Sequence, residues 1–110
     1  MKGGTITGDY GISNSSGTVE ITGGTITVGK TAISNTSNGI LTISGGTITA
    51  TYSWQGGYGI TNSAEVNISG GTITGNGYYG INNYSGIVDV SGGTITGSKY
   101  GMKNDSKGII

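Results

Sequence analysis

The chain has 110 residues, with five lysines against five carboxylates and a formal net charge of zero, so no positive field exists to hold a nucleic acid or an anionic membrane. It contains no cysteine, histidine, arginine or proline. That removes disulfides, thiolate metal sites, the commonest general base and the bidentate carboxylate clamp.

Gly, Thr, Ser and Asn take 25, 17, 13 and 9 positions, a balance that by itself favours disorder. Regular spacing of the 16 isoleucines argues for order instead. The first element, Gly-Gly-Thr-Ile-Thr, occurs five times, starting at Gly3, Gly23, Gly45, Gly70 and Gly92, at intervals of 20, 22, 25 and 22 residues. Self-similarity at such a period marks a solenoid in which each repeat is one turn of a coil. The motif is constant while the interval changes, so the length differences are expected at a corner.

The second element is a small residue, an apolar residue, any residue, then asparagine. It reads Gly11-Ile12-Ser13-Asn14, Ala32-Ile33-Ser34-Asn35, Gly59-Ile60-Thr61-Asn62, Gly80-Ile81-Asn82-Asn83 and Gly101-Met102-Lys103-Asn104. The third alternates apolar, polar, apolar: Val19-Glu20-Ile21, Leu41-Thr42-Ile43, Val66-Asn67-Ile68 and Val88-Asp89-Val90, with only Ile109 and Ile110 left in the last turn. All three have period two, mostly β-branched apolar members and Gly, Ser or Asn boundaries, which predicts strands. The expectation is an all-β chain of about five turns, three short strands per turn and no helix. Strands this short pair with their copies in the turns above and below, about 4.8 Å away, as a parallel β-helix.

Residues 1–110 are expected to form a single β-helix segment with turns 3–22, 23–44, 45–69, 70–91 and 92–110. Parity sets the inward side chains. The first face gives Ile6, Ile26, Ile48, Ile73 and Ile95; the second gives Ile12, Ile33, Ile60, Ile81 and Met102. The third gives Val19, Leu41, Val66, Val88 and Ile109, with Ile21, Ile43, Ile68 and Val90. Asn14, Asn35, Asn62, Asn83 and Asn104 share the inward parity and are expected to form an asparagine ladder at a corner. Thr22, Ser44, Ser69 and Ser91 are expected to make a hydroxyl ladder ahead of the glycine pair, which supplies positive φ at a sharp corner. Tyr10, Tyr58, Tyr79 and Tyr100 occupy equivalent positions, with Thr31 in the second turn, and are expected to stack.

On Gly-Gly-Thr-Ile-Thr and Gly-Ile-x-Asn the chain resembles right-handed parallel β-helix proteins. In particular it resembles the glycine-glycine-apolar repeats of bacterial surface and adhesin proteins. That resemblance implies a secreted or cell-surface parent protein. Met1-Lys2 leads straight into the first motif and the last strand is cut at Ile110. The chain is therefore expected to be a fragment without caps, with no signal peptide and no membrane insertion, and open to end-to-end self-association through bare edges.

β-Helices of the resembled kind can carry polysaccharide lyase or hydrolase sites built from clustered carboxylates and basic residues. Here Glu20 and Asp89 occupy equivalent positions three turns apart, about 14 Å along the axis, beyond the spacing of a glycosidase pair. No turn offers the regular aspartates that calcium needs, and no Ser or Asn has a histidine partner. The expectation is no catalytic residue, no metal and no cofactor.

Two surfaces stand out. The third turn carries the longest insertion, Ala50 to Gly57, and Tyr52, Trp54, Tyr58, Tyr78 and Tyr79 gather at the corner between the first and second elements. Aromatic faces with polar neighbours stack on sugar rings, so these are the glycan-binding candidates. The other surface is the outer face of the first element: Thr5 and Thr7, Thr25 and Thr27, Thr47 and Thr49, Thr72 and Thr74, and Thr94 and Thr96. Stacked, they form two rows of threonines and are the ice-binding candidates, a Thr-x-Thr face similar to that of β-solenoid antifreeze proteins. Threonine also stacks well in strands without any ligand. The preferred reading is a structural or adhesive solenoid segment and not an enzyme. Ice binding is the first alternative and a degenerate carbohydrate-active β-helix the second.

Overall fold

The computed structural model describes residues 1–53, 56–105 and 108–109, and among them shows twelve strands and no helix. The first turn gives β1 (Thr5–Gly8) and β2 (Ile12–Ile21), and the second β3 (Thr25–Val28) and β4 (Ile33–Ile43). The third gives β5 (Thr47–Ala50), β6 (Ile60–Asn62) and β7 (Glu65–Ile68), and the fourth β8 (Thr72–Gly75), β9 (Tyr79–Asn83) and β10 (Ile87–Val90). The fifth gives β11 (Thr94–Gly97) and β12 (Tyr100–Asn104). Every pairing is parallel and joins a strand to its copy one turn away. This is a parallel β-solenoid.

The first elements make one five-stranded sheet in the order β1-β3-β5-β8-β11. The second and third elements make the other sheet, of seven strands. In the first two turns they run together as β2 and β4, of 10 and 11 residues, instead of the separate short strands expected. Pairing survives that corner because its register shifts between Asn14 and Ser16, where the second turn carries one more residue. The extra residue brings Ser37 to φ 55°, the one positive φ outside glycine among the described residues.

Length variation is absorbed at two corners rather than one. The first corner takes the large insertion between β5 and β6, and the second, after each ladder asparagine, varies by one or two residues from turn to turn. The glycine-pair corner is invariant. Its second glycine sits at φ between 88° and 92° in all five turns (Gly4, Gly24, Gly46, Gly71 and Gly93), a conformation that costs an L-residue strain.

The inward parity holds along the coil. Ile26, Ile48 and Ile73 on the first face, Ile33, Ile60 and Ile81 on the second, and Leu41, Val66, Val88, Ile21, Ile43 and Ile68 on the third are buried. Ile6, Ile12, Val19, Val90, Ile95 and Met102 pack against them part-buried toward the two ends. Ile109 departs from expectation. It pairs with Ile87, not Val88, and is exposed. The fifth turn has one more residue between its asparagine and this strand than the fourth, since Asn104 pairs with Asn83, and one residue of slip turns a side chain to the other face. Val28 and Ala50 add a further inward column beside Ile26 and Ile48. Gly75 and Gly97 continue that column, where a Cβ would collide with the carbonyl oxygens of Tyr79 and Tyr100 as the chain doubles back.

Candidate functional site

The asparagines form the predicted ladder without a break. Nδ2 of Asn14 donates to Asn35 Oδ1 at 3.0 Å, Asn35 to Asn62 at 2.9 Å, Asn62 to Asn83 at 3.0 Å and Asn83 to Asn104 at 2.9 Å. Each Nδ2 also donates to a carbonyl of its own turn, at Gly17, Gly39, Ala64, Gly86 and Gly108. The amides are thus spent on one another and on the corner, which holds the second corner in register. The hydroxyl column behaves differently. Thr22, Ser44, Ser69 and Ser91 are exposed, and the side-chain bonds of Thr22 and Ser91 go to the backbone oxygens of Met1 and Ile68. Among the described residues no hydroxyl–hydroxyl bond joins this column; its continuity comes from backbone N–H groups such as Ser44 to Ile21 O and Ser69 to Ile43 O.

The two threonine rows lie in exact lateral register, Thr5–Thr25–Thr47–Thr72–Thr94 and Thr7–Thr27–Thr49–Thr74–Thr96. All five of the first row are exposed. In the second row Thr7, Thr27 and Thr96 are exposed, while Thr49 and Thr74 are half-buried.

At the first corner the backbone carries the tyrosine column along the axis: Ala32 N–H donates to Tyr58 O and Gly59 N–H to Tyr79 O. Tyr58 and Tyr79 stack with centroids 5.5 Å apart and planes 20° from parallel, and Tyr79 and Tyr100 at 5.9 Å and 3°. Tyr78 leans on Tyr79 at 5.8 Å and 49°. Three of the five glycan candidates, Tyr58, Tyr78 and Tyr79, therefore come together. Tyr52 stands apart as an exposed side chain on the insertion, its N–H held by Gly29 O. Trp54 lies outside the described residues.

The stack is not a flat platform. Both faces of Tyr79 are engaged by rings of the neighbouring turns, so it turns an edge outward. Cations border the stack: Lys103 Nζ lies 5.7 Å from the Tyr79 centroid, and Lys99 Nζ lies 5.6 Å from Tyr78 and 5.7 Å from Tyr100. Lys103 also pairs with Asp105 at 2.9 Å, which pushes its ammonium above the ordinary value. Burial among the rings pushes the Tyr58 phenol up, with Tyr84 and Tyr79 adding to the effect.

Beneath the rings runs an outward column that sequence reasoning left unassigned: Ser13, Ser34, Thr61, Asn82 and Lys103 in register. Asn82 is 4 % exposed, and its Oδ1 has no hydrogen-bond partner among the described residues. Beside Thr31, where the tyrosine column is interrupted, lies a cavity of about 300 Å³ lined by Tyr10, Thr31, Ser13, Ser34 and Thr61 with the intervening backbone. The substitution at position 31 was the visible signal for it.

The carboxylates stay dispersed. Glu20, Thr42, Asn67 and Asp89 occupy successive places in one column, so Glu20 and Asp89 stand three strand spacings apart. Among the described residues no three Asp or Glu side chains come close enough to hold a metal ion. No protein-family model, curated protein or solved structure matches the chain, so its own geometry is what bears on function.

Proposed function

We propose that the chain is a structural and adhesive solenoid segment of a bacterial cell-surface or secreted protein, not an enzyme, with glycan contact at its tyrosine corner. The observation that carries this reading is the in-register stacking of the side chains. Asparagine amides run unbroken along the axis, and three tyrosines stack beside them, rimmed by lysines. Such stacking makes a stiff rod whose corner displays amphipathic ring edges, hydroxyls and ammonium groups, the chemistry that suits sugar hydroxyls and C–H faces. A glycan array probed with the chain tests it. Binding that falls at least tenfold in Tyr58→Ala, with the coil intact by circular dichroism, supports the reading. A parent chain that binds no glycan on the array rejects the adhesive half.

A second reading, ice binding, is favoured by one observation: ten threonines stand in two straight rows on one parallel sheet, with the first row exposed from end to end. Steps of about 4.8 Å along each row present methyls and hydroxyls on a repeating lattice. Thermal hysteresis and ice shaping by the parent chain test this reading directly.

A further inference from the structure

The tyrosine column has five rungs, Tyr10, Thr31, Tyr58, Tyr79 and Tyr100, and one of them has no ring. The cavity of about 300 Å³ lies at that rung, with Tyr10 and Thr31 in its wall and Ser13, Ser34 and Thr61 along its floor. We propose that this missing rung is a binding slot for a single hexopyranose ring, inserted between the Tyr10 and Tyr58 rungs as a substitute for the absent tyrosine. The proposal rests on the reading of the tyrosine corner as a glycan contact and locates that contact.

Spacing supports an inserted ring. Tyr10 and Tyr58 stand two rungs apart, roughly 10 Å by strand spacing. A ring placed midway lies about 5 Å from each, within the range of about 4.5–7 Å at which stacked rings attract. The filled rungs of the same column show how rings sit there, at 5.5 and 5.9 Å. Tyr79 cannot serve in this way, because its two faces meet Tyr58 and Tyr100. Among the described residues Tyr58 stacks on Tyr79 alone, and Thr31 puts no ring on its other side.

The floor selects the class of ring. Ser34 and Thr61 are half-buried and Ser13 exposed, and each hydroxyl both donates and accepts. A pyranose offers C–H faces to the rings above and below and hydroxyls around its edge to this floor. A plain hydrocarbon ring would cover these hydroxyls without pairing them, at a cost. Lys30 adds donors: it precedes Thr31, and its Nζ lies 5.8 Å from the Tyr10 centroid. An exposed ammonium there is free to swing and donate to a ring hydroxyl.

The residue after the rung changes together with it. Where the rung is tyrosine the next residue is glycine (Gly11, Gly59, Gly80 and Gly101), and where it is Thr31 the next is the buried Ala32. The test titrates the chain with a panel of methyl hexopyranosides, following backbone amide shifts by NMR. Thr31→Tyr fills the slot; where that variant does not fold, Thr31→Tyr with Ala32→Gly restores the Tyr-Gly pair of the other turns. Expected are saturable shifts at Thr31, Ser34 and Thr61, and affinity reduced at least tenfold by filling the slot or by Tyr10→Ala. Glu20→Gln, on the outward face of β2 away from the tyrosine corner, should bind as the parent does. Binding that survives slot filling and is lost in Tyr100→Ala overturns the slot and leaves the glycan reading of the corner standing. No shifts with any pyranoside, together with glycan-array binding that Tyr58→Ala removes, also overturns the slot alone. No binding in either assay overturns both.

Discussion

Asn35 donates its amide N–H to Asn62 Oδ1 at 2.9 Å, and both side chains are fully buried. Asn62 in turn donates to Asn83 and to Ala64 O, and its Oδ1 also accepts the Ala64 N–H. Each amide is satisfied only because its neighbours are present. Asn62→Ala should therefore remove a buried donor–acceptor pair and leave Asn35 and Asn83 each short of one partner. At about 1–3 kcal/mol per unsatisfied buried group, the loss should be about 2–4 kcal/mol. Urea unfolding measures it, and a loss under about 1 kcal/mol would show that water replaces the ladder freely.

Asn82 is the opposite case. It is buried like Asn14, Asn35, Asn62 and Asn83, yet its Oδ1 finds no partner among the described residues. The preceding turn places Thr61 at the same column position. Asn82→Thr should raise stability by up to about 1 kcal/mol, since it removes an orphaned acceptor and adds a β-branched residue to β9. A fall in melting temperature would show that the amide has a partner in solution.

The pH dependence follows from two raised groups. Tyr58 is held above its ordinary 10.0 by burial first and by Tyr84 and Tyr79 next. Lys103 is held above its ordinary 10.5 by its hydrogen bond to Asp105 and by that carboxylate's charge. In both cases the folded chain keeps a proton that the unfolded chain releases, so stability is full below about pH 9 and falls as pH rises beyond 10. Lys103 contributes the smaller part because solvent reaches and screens its pair with Asp105. Tyr58→Phe should flatten the alkaline limb of a melting-temperature profile while leaving the neutral range nearly unchanged. A limb of unchanged slope would place the effect elsewhere.

The threonine face separates the two functional readings. Thr72 is exposed in a central turn, flanked in its row by Thr47 and Thr94. Tyrosine keeps strand propensity, so Thr72→Tyr should change stability by no more than about 0.5 kcal/mol. The adhesive reading expects no thermal hysteresis from the parent. Hysteresis in the parent that collapses in the variant at an unchanged melting temperature would transfer the function to this face.

Much of the fold was legible in the residues because a solenoid is nearly one-dimensional: each turn contacts its copies, so local period and repeat interval together define the pairing. Gly-Gly-Thr-Ile-Thr predicted the first sheet, its buried isoleucines and its outward threonines. Gly-Ile-x-Asn predicted the asparagine ladder. Val28 and Ala50, two places beyond Ile26 and Ile48, obey the same parity but lie outside the repeated pentapeptide.

What the repeat left open was decided at the corners, where one residue more or less changes which side chain faces in. The fifth turn's extra residue brought Ile109 beside Ile87 and turned it outward. A register shift near Asn14 let β2 and β4 run through the second corner as single strands. The hydroxyls of Thr22 and Ser91 turned to backbone oxygens within reach instead of to one another. The sequence by itself determined that Tyr58, Tyr79 and Tyr100 share a column, because that follows from spacing alone. Only the tertiary structure decided the angles at which those rings stack, that Asn82 is sealed beneath the corner, and that Thr31 opens a cavity. Those outcomes depend on how far each side chain reaches across the gap between turns, a distance that no repeat interval encodes.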